Sequence, residues 1–327
     1  MPELRQGTHP LTEPAVAGSR VELRRFAHVQ AALLHPQLVV PGTQSAGHEA
    51  HADVHSAVRA HIPLDVVRGA RGVLVAEALS LVDAVDAEGA CFMTAVAQPW
   101  ARVATGALTG LSDGVVSECW PLARTIFHAA AQSSNGGTTP VAQQAAVTLL
   151  GTLGVQHGAA AVQTFVALSQ SLPALLGCAA QALLEHPAQY AWLRAHSGAL
   201  TTNAAHELLR YATPTRAVYR QALANVDIDD RHIRTNDLVV IQLHAANRDA
   251  THFNEPNTLQ LSLGRAGHVA FGAGAHYCSG AAIVRLLLEC VLEALATSRV
   301  VLSLAGEVEW LDGVALRAPT RLPMRSQ

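Results

Sequence analysis

Ten residues near the C-terminus carry the clearest chemical signal of the chain. Residues 271–280 read FGAGAHYCSG, and the apolar run AAIVRLLLE, which is typical of a helix, follows directly. Cys278 therefore stands at a helix N-terminus, where unpaired backbone N–H groups and the helix dipole stabilise negative charge. We predict that this position lowers the pKa of the Cys278 thiol and that the sulfur is anionic or bound to a metal.

The glycines around this cysteine indicate a large planar ligand. Gly272 and Gly274 let the backbone approach a ligand closely, and Gly280 removes a side chain where the helix would lie against it. A buried structural cysteine and a redox or nucleophilic cysteine are the alternatives. The redox or nucleophilic cysteine is disfavoured because the sequence has no CxxC pair and no identifiable general base.

The composition is that of a globular protein. The chain has 327 residues, of which 50% are hydrophobic and 14% charged, and its formal net charge is -3. This charge gives no field that gathers phosphates, so the composition argues against a general nucleic-acid binder. All 22 basic residues are arginine. The lack of lysine excludes P-loop, pyridoxal phosphate, class I aldolase and biotinyl or lipoyl chemistry.

Cysteine usage and the apolar runs favour a soluble protein of a reducing cytoplasm. The five cysteines are an odd number without CxxC pairing, which fits neither a disulfide framework nor a zinc ribbon. The N-terminal residues have no apolar core of a signal peptide, and no uncharged run predicts a membrane span. We therefore expect no membrane association.

The element pattern predicts a mainly α fold with a minor β part, of the α+β class. Alanine- and leucine-rich helical spacing dominates the first two thirds of the chain, and a β-branched alternation with an Asp229-Asp230 turn follows. We expect residues 1–20 to form an extended segment and residues 21–327 a single domain. A short strand and then a helix are predicted within 21–34, and helices are predicted at 48–60, 66–85, 100–111, 115–131, 204–211 and 281–297. The apolar stretch 141–184 predicts at least one core helix, near Pro173. The predicted strands cover 216–222, 226–233, 238–243, 300–304 and 314–316.

The cysteine segment resembles the heme-binding signature of the cytochrome P450 family, FGxGxHxCxG, at every fixed position. Glu207 and Arg210 in AAHELLRY resemble the ExxR pair that precedes this signature in the family, and a pair at this spacing shares one helix side. Further stretches follow in family order, among them PTRAVYRQA, AANRD, FNEP and a terminal RLP. The resemblance covers most of the chain from Val21 onward and implies a P450-like fold that is trimmed at the N-terminus and in its loops.

The resemblance assigns a cofactor and the residues that hold it. It implies heme b, with Cys278 as the axial thiolate ligand of the iron. Phe271 would pack beside the sulfur, and Gly272, Gly274 and Gly280 would line the ligand. The positions expected to contact the heme propionates are Arg220, His268 and His276, together with His51 and His55 where the family often has HxxxR.

His51 and His55 also permit a different interpretation. Their i, i+4 spacing places both imidazoles on one helix side, where they could share a zinc ion with Glu49 nearby. The spacing is not HExxH and the stretch is short, so a helix that faces heme or solvent is favoured.

Three departures from the family pattern bear on activity. The acid–alcohol pair of the family's central helix aligns with Gln170 and Ser171, and glutamine cannot donate a proton as a carboxylic acid. The arginine that completes the ExxR triad aligns with Thr258, unless Arg265 reaches the site. The chain is also short where the family normally covers its substrate, which predicts a more open pocket.

The resemblance implies a heme-thiolate monooxygenase of secondary metabolism. The substrate would be an organic small molecule or a carrier-bound intermediate, and a separate ferredoxin system would supply electrons. Thr215 and Arg216 would contact the substrate or, alternatively, form loop surface. Because Gln170 replaces the acid, a reaction such as phenol coupling is better tolerated than ordinary hydroxylation. The competing hypothesis is a catalytically silent relative that activates a partner enzyme such as a glycosyltransferase, and a heme protein that uses peroxide is a third.

Overall fold

The structure is a computed structural model that describes residues 18–42, 56–58, 61–154, 158–198 and 201–327. His51 and His55 lie outside the described residues, as does nearly all of the predicted segment 1–20. The zinc and propionate interpretations of these two histidines therefore remain predictions.

Helices form most of the described structure. Short π-helical turns occupy Met93–Ala97 and Ala167–Ser171, and 3-10 turns occupy Leu261–Leu263 and Gly274–His276. We number the helices α1 Phe26–Leu34, α2 Leu64–Asp83, α3 Gln98–Thr109, α4 Asp113–Gln132, α5 Pro140–Leu153, α6 Gly158–Glu185, α7 Pro187–Ala195, α8 Thr201–Ala212, α9 Leu243–Ala246 and α10 Ala281–Thr297.

The central helix α6 contains one irregular turn. In the π-helical turn Ala167–Ser171, the backbone N–H of Leu172 donates to the carbonyl of Ala167, five residues back. Pro173 follows and has no N–H, so the carbonyl of Ser169 has no α-helical donor four residues later. Proline is a known cause of such register changes in helices. The turn therefore has its origin in the sequence.

Burial shows that α6 is a core helix. Its segment Leu172–Glu185 is buried at almost every position, and it packs in the main hydrophobic core with Trp100, Leu208 and Leu287. By length and hydropathy alone α6 could cross a membrane, yet 61% of its most apolar window is buried inside the protein. A helix that passes through a soluble core has the same composition.

Small sheets flank the helical core. A four-stranded sheet has the order β1-β7-β4-β2; β1 runs parallel to β7, and the other pairs are antiparallel. Asp229, in the left-handed region at φ 49°, forms the turn between β5 and β6. The strands are β1 Arg20–Leu23, β2 Leu38–Val39, β3 Ala90–Cys91, β4 Ala217–Ala222, β5 Val226–Ile228, β6 Arg231–Ile233, β7 Leu238–Gln242, β8 Leu302–Leu304, β9 Glu309–Asp312, β10 Arg317–Arg321 and β11 Pro323–Ser326.

The α+β prediction is confirmed, and the predicted strand at residues 314–316 is wrong. These residues form the turn of the β9–β10 hairpin, and only Leu316 makes a bridge, to Thr215. Gly313 brings the turn against the end of α4, where Ala315 N–H donates to Ala131 O at 3.1 Å. Of the apolar residues that suggested a strand, Leu316 packs near Phe127 of α4, Ala315 packs with Ala217 of β4, and Val314 is exposed. The elements that were not predicted are helices α7 and α9 and strands β2, β3, β9, β10 and β11.

We expect Gly313→Ala to destabilise the protein. A Cβ at this position would lie 2.3 Å from Ala131 O, so the hairpin would have to move away from α4. The expected loss is about 1–3 kcal/mol, measured as the free energy of unfolding in urea. Gly151→Ala in α5 is the control, because a Cβ there meets nothing within 4 Å and alanine favours the helix. Equal unfolding free energies for the two variants would contradict this packing.

Candidate cofactor site around Cys278

Cys278 lies at one wall of a cavity of about 290 Å³. Phe271 and Gly272 of the same loop line that wall, and Ala167 and Ser171 of the π-helical turn line another. Most of the lining is apolar. The cavity thus places a sulfur atom and the irregular turn of the central helix around one space.

The loop before α10 fixes the position of the cysteine. Cys278 N–H donates to Phe271 O at 2.9 Å, and Cys278 O accepts from Ala281 N–H at 3.2 Å, at the start of the helix. Gly272 and Gly274 have φ values of 71° and 69°, in the left-handed region that glycine tolerates best. A Cβ on Gly274 would also lie 2.8 Å from Leu33 O, so no larger residue fits the loop at that position.

The predicted lowering of the Cys278 pKa is wrong for the protein without a ligand. Burial raises the pKa of the Cys278 thiol, and the opposing contribution, a backbone hydrogen bond from Gly280, is smaller. The sulfur lies among apolar side chains, which disfavour an isolated thiolate. A cation bonded directly to sulfur would reverse this balance, because a coordinated thiol is deprotonated.

Arg220 provides a buried positive charge in the same cavity. Its Nη1 donates to Tyr219 O at 2.8 Å, whereas its buried Nε has no hydrogen-bond acceptor among the described residues. Burial lowers the pKa of Arg220 to about 10, so the guanidinium stays charged at neutral pH. A buried cation without a counter-ion requires an anionic partner. The sulfur, the apolar lining and this guanidinium together fit a heme with its carboxylates.

The structure places the two histidines predicted to contact heme propionates, His276 and His268, in different surroundings. His276 lines the cavity. His268 does not: its Nε2 lies 3.4 Å from His206 Nδ1, and its Nδ1 accepts from Ala270 N–H at 3.3 Å. Burial, followed by the charge of His206, lowers the pKa of His268 to about 4. At neutral pH His268 is uncharged, and its position does not support the charged contact expected of it.

The ExxR residues form a buried ion pair with geometry suited to their role. Arg210 Nε and Nη2 donate to the two carboxylate oxygens of Glu207 at 2.9 and 2.8 Å, and both side chains are fully buried. Arg265 Nη1 lies 3.4 Å from Glu207 Oε1, so Arg265 does reach the site. Thr258 contributes only its carbonyl, which accepts from Arg210 Nη2 at 3.3 Å.

The residues predicted for catalysis and substrate contact divide between two environments. Ser171 and Thr215 line the cavity. Gln170 does not, and its buried Nε2 finds no acceptor in the described part of the chain. Arg216 also lies elsewhere: its Nη1 pairs with Asp312 Oδ1 at 2.8 Å. Its position does not support the predicted substrate contact, because residues on either side of an extended segment face opposite ways.

Several lining residues were not predicted from the sequence. They are apolar or small, and they come from α6, α8 and the residue after it, β4 and α9, as with Leu175, Leu209, Thr213, Val218 and Leu243. Core side chains of these types occur throughout the sequence, so no local pattern identifies the ones that face the cavity.

Comparison with known proteins finds matches to one family. A family model described as Cytochrome P450 matches residues 197–296, a span that includes Glu207, Arg210 and Cys278. Vitamin D3 dihydroxylase of Streptomyces griseolus is 38% identical over 146 residues, which cover 43% of this chain and 36% of that protein. 6-Deoxyerythronolide B hydroxylase of Saccharopolyspora erythraea is 36% identical over 154 residues, which cover 46% of this chain and 38% of that protein.

The fold agrees with these sequence matches. P450BioI, solved in complex with hexadec-9Z-enoic acid ligated acyl carrier protein, superposes with a TM-score of 0.79 at 18% identity, covering 94% of this chain and 92% of that one. The chain therefore has the fold of P450BioI. Residues 197–296 thus match the cytochrome P450 family, and the fold of the chain is similar to that of a solved P450. Its matched stretches span little more than a third of the two curated relatives.

Removing the charge of Glu207 is expected to destabilise the fold strongly. In Glu207→Gln, Arg210 remains fully buried without its carboxylate partner, which costs about 3–5 kcal/mol. Urea unfolding measures this loss. The control is Arg24→Gln, which breaks an exposed pair with Glu22 at 3.1 Å and should cost less than about 1 kcal/mol. A Glu207→Gln variant as stable as Arg24→Gln would refute this account.

Proposed function

We propose that this protein is a P450-type monooxygenase that binds heme b and oxidises an organic small molecule or a carrier-bound intermediate. The observation that carries the proposal is that one largely apolar cavity holds both the Cys278 thiol and the Arg220 guanidinium, whose buried Nε has no acceptor among the described residues. When bound, heme supplies the iron chemistry that activates oxygen with external electrons. Residues 21–327 would form the single heme domain.

Residues of this chain would hold and orient the heme. Cys278 Sγ would provide the thiolate ligand to the iron, and the hydrogen bond from Cys278 N–H to Phe271 O fixes the backbone that presents it. Arg220 would bind a heme carboxylate, which gives its Nε the acceptor that it lacks. His276 lies in the same cavity and adds a polar side chain. The apolar remainder of the lining excludes water from the sulfur.

Proton delivery would depend on Ser171 rather than on an acid. The Ser171 hydroxyl lines the cavity and can both donate and accept a proton. The Gln170 amide can donate a hydrogen bond through Nε2 but cannot release a proton as an acid does. Reactions that need little proton delivery, such as phenol coupling, therefore fit this chain better than ordinary hydroxylation.

The cavity supports an apolar substrate with few polar groups. Its hydroxyls include those of Thr213 and Thr215, and most of its other side chains are apolar. The curated relatives are named as bacterial hydroxylases that act on vitamin D3 and 6-deoxyerythronolide B, and the P450BioI structure contains an acylated carrier protein. These relatives support a role in secondary metabolism. A cytoplasmic location and a ferredoxin-type electron donor are part of the proposal and rest on the family resemblance alone.

One observation favours a second candidate function. Gln170 stands where the family has its acid, which fits an auxiliary protein that binds a partner enzyme without oxidising a substrate. The intact cysteine loop favours the oxygenase, since an auxiliary protein has no need of a positioned thiolate. Heme binding and thiolate ligation separate the two functions.

Spectroscopy of the reduced protein with carbon monoxide tests the proposal. We expect the red-shifted Soret band of a thiolate-ligated ferrous heme, and we expect Cys278→Ala to lose either this band or the heme. Cys290→Ala is the control, because Cys290 is buried in the core away from the cavity lining. A colourless protein after expression with hemin, or a band unchanged in Cys278→Ala, would refute the assignment.

Restoring the acid tests the proton pathway. We expect Gln170→Glu to raise the yield of hydroxylated product per electron pair by roughly tenfold, which is less than the roughly 10²–10⁴-fold typical of general acid–base catalysis. The measurement uses 6-deoxyerythronolide B as the probe, with ferredoxin and its reductase, and compares product with released hydrogen peroxide. Gln143→Glu, on the exposed side of α5, is the control. An unchanged ratio would show that Ser171 suffices.

A further inference from the structure

A second cavity, of about 200 Å³, lies directly behind the Cys278 cavity. Thr213 lines both. At two places consecutive residues face opposite cavities: Thr215 and Leu243 line the first, whereas their neighbours Arg216 and His244 line the second. A single layer of backbone therefore separates an apolar space from a polar one.

Three arginines from separate parts of the chain line the second cavity, namely Arg216, Arg248 and Arg317. Arg216 and Arg317 share one carboxylate oxygen, Asp312 Oδ1, at 2.8 and 3.8 Å. The Arg317 guanidinium also lies 3.8 Å from the centroid of the Trp310 ring. These contacts fix the two guanidinium groups at the mouth of the cavity.

Arg248 has neutral hydrogen-bond partners. Its Nη1 donates to Asn257 Oδ1 at 3.2 Å, its Nη2 donates to Tyr211 O at 2.9 Å, and its guanidinium stacks 3.8 Å from the Tyr211 ring centroid. Its buried Nε has no acceptor, and no carboxylate of the described residues lies within ion-pair distance of it. Burial lowers the pKa of Arg248. The group is therefore a partly desolvated cation with an unused donor.

The charges around this cavity leave an excess of positive charge. The three guanidinium groups face two carboxylates, those of Asp312 and the exposed Glu185. Burial, and next the charges of these arginines, lower the pKa of His244 to about 4, so its imidazole is neutral at pH 7. It can donate an N–H without adding a charge.

We infer that this second cavity binds a small oxyanion, a carboxylate or a phosphate group, held by Arg248 together with Arg216 and Arg317. Planar guanidinium groups match the paired oxygens of such anions and bind them with short, charge-assisted hydrogen bonds. Stacking on Tyr211 and Trp310 holds two of the three in place before the anion arrives. The inference goes beyond the proposed function and does not depend on heme binding.

Isothermal titration calorimetry with inorganic phosphate and with succinate tests this site, at constant ionic strength set with sodium chloride. We expect saturable binding to the wild-type protein and at least tenfold weaker binding to Arg317→Gln and Arg248→Gln. Binding of phosphate alone would identify a phosphate group as the ligand, and binding of both would identify any oxyanion. Arg124→Gln, which removes an exposed charge of α4, is the matched control and should bind as the wild type does.

Arg248→Gln also removes the contacts that tie Tyr211 to Asn257, so weaker binding by that variant could reflect a change in the fold. A substitution at Arg317 therefore serves as the control for folding. Arg317→Lys keeps the positive charge and removes the planar fork, so it should weaken binding several-fold with an unchanged melting temperature. The inference is overturned if the wild-type protein shows no saturable heat with either anion. It is equally overturned if Arg124→Gln weakens binding as much as Arg317→Gln does.

Discussion

The buried pair of Glu207 and Arg210 is the constraint on which the cysteine loop depends. Arg210 Nη1 donates to the carbonyls of Asn247 and Pro256, both at 2.8 Å, and so ties α8 to the segment that follows α9. Asn247 Oδ1 in turn accepts from Val269 N–H at 2.8 Å, two residues before Phe271. Removing a charged pair from water costs free energy. The carbonyls that accept from Arg210 offset this cost, because they satisfy its remaining N–H donors. The pair thus sets the backbone that presents Cys278.

The central helix α6 forms another part of the lining of the Cys278 cavity. Pro173 cannot donate to Ser169 O, and the π-helical turn that precedes it brings Ala167 and Ser171 into the cavity. Such turns are frequent at functional sites because they reorient side chains without ending the helix. Farther along the same helix, Cys178 and Glu185 line the second cavity. Residues of α6 therefore line both cavities, so this helix fixes their positions relative to each other.

Charge placement distinguishes the two cavities. Arg220 is a buried cation in an apolar space, and Arg248 is a stacked cation in a polar one. Both have a buried Nε without an acceptor in the described structure. In a chain whose basic residues are all arginine, such donors suit planar anions with paired oxygens. The same feature supports a heme carboxylate in the first cavity and a smaller oxyanion in the second.

The sequence by itself determined the helical fold and the glycine turn before Cys278, because glycine, proline and apolar spacing act locally. The significance of the ExxR pair came from the family resemblance, since spacing alone does not show that such a pair is buried. Tertiary structure decided what depends on distant parts of the chain. It brought Arg265 to Glu207, turned Arg216 toward Asp312, and placed His268 against His206. It also reversed the expected pKa shift of Cys278, since a helix N-terminus is visible in sequence whereas burial of the sulfur arises only when α6 and the sheet close around it.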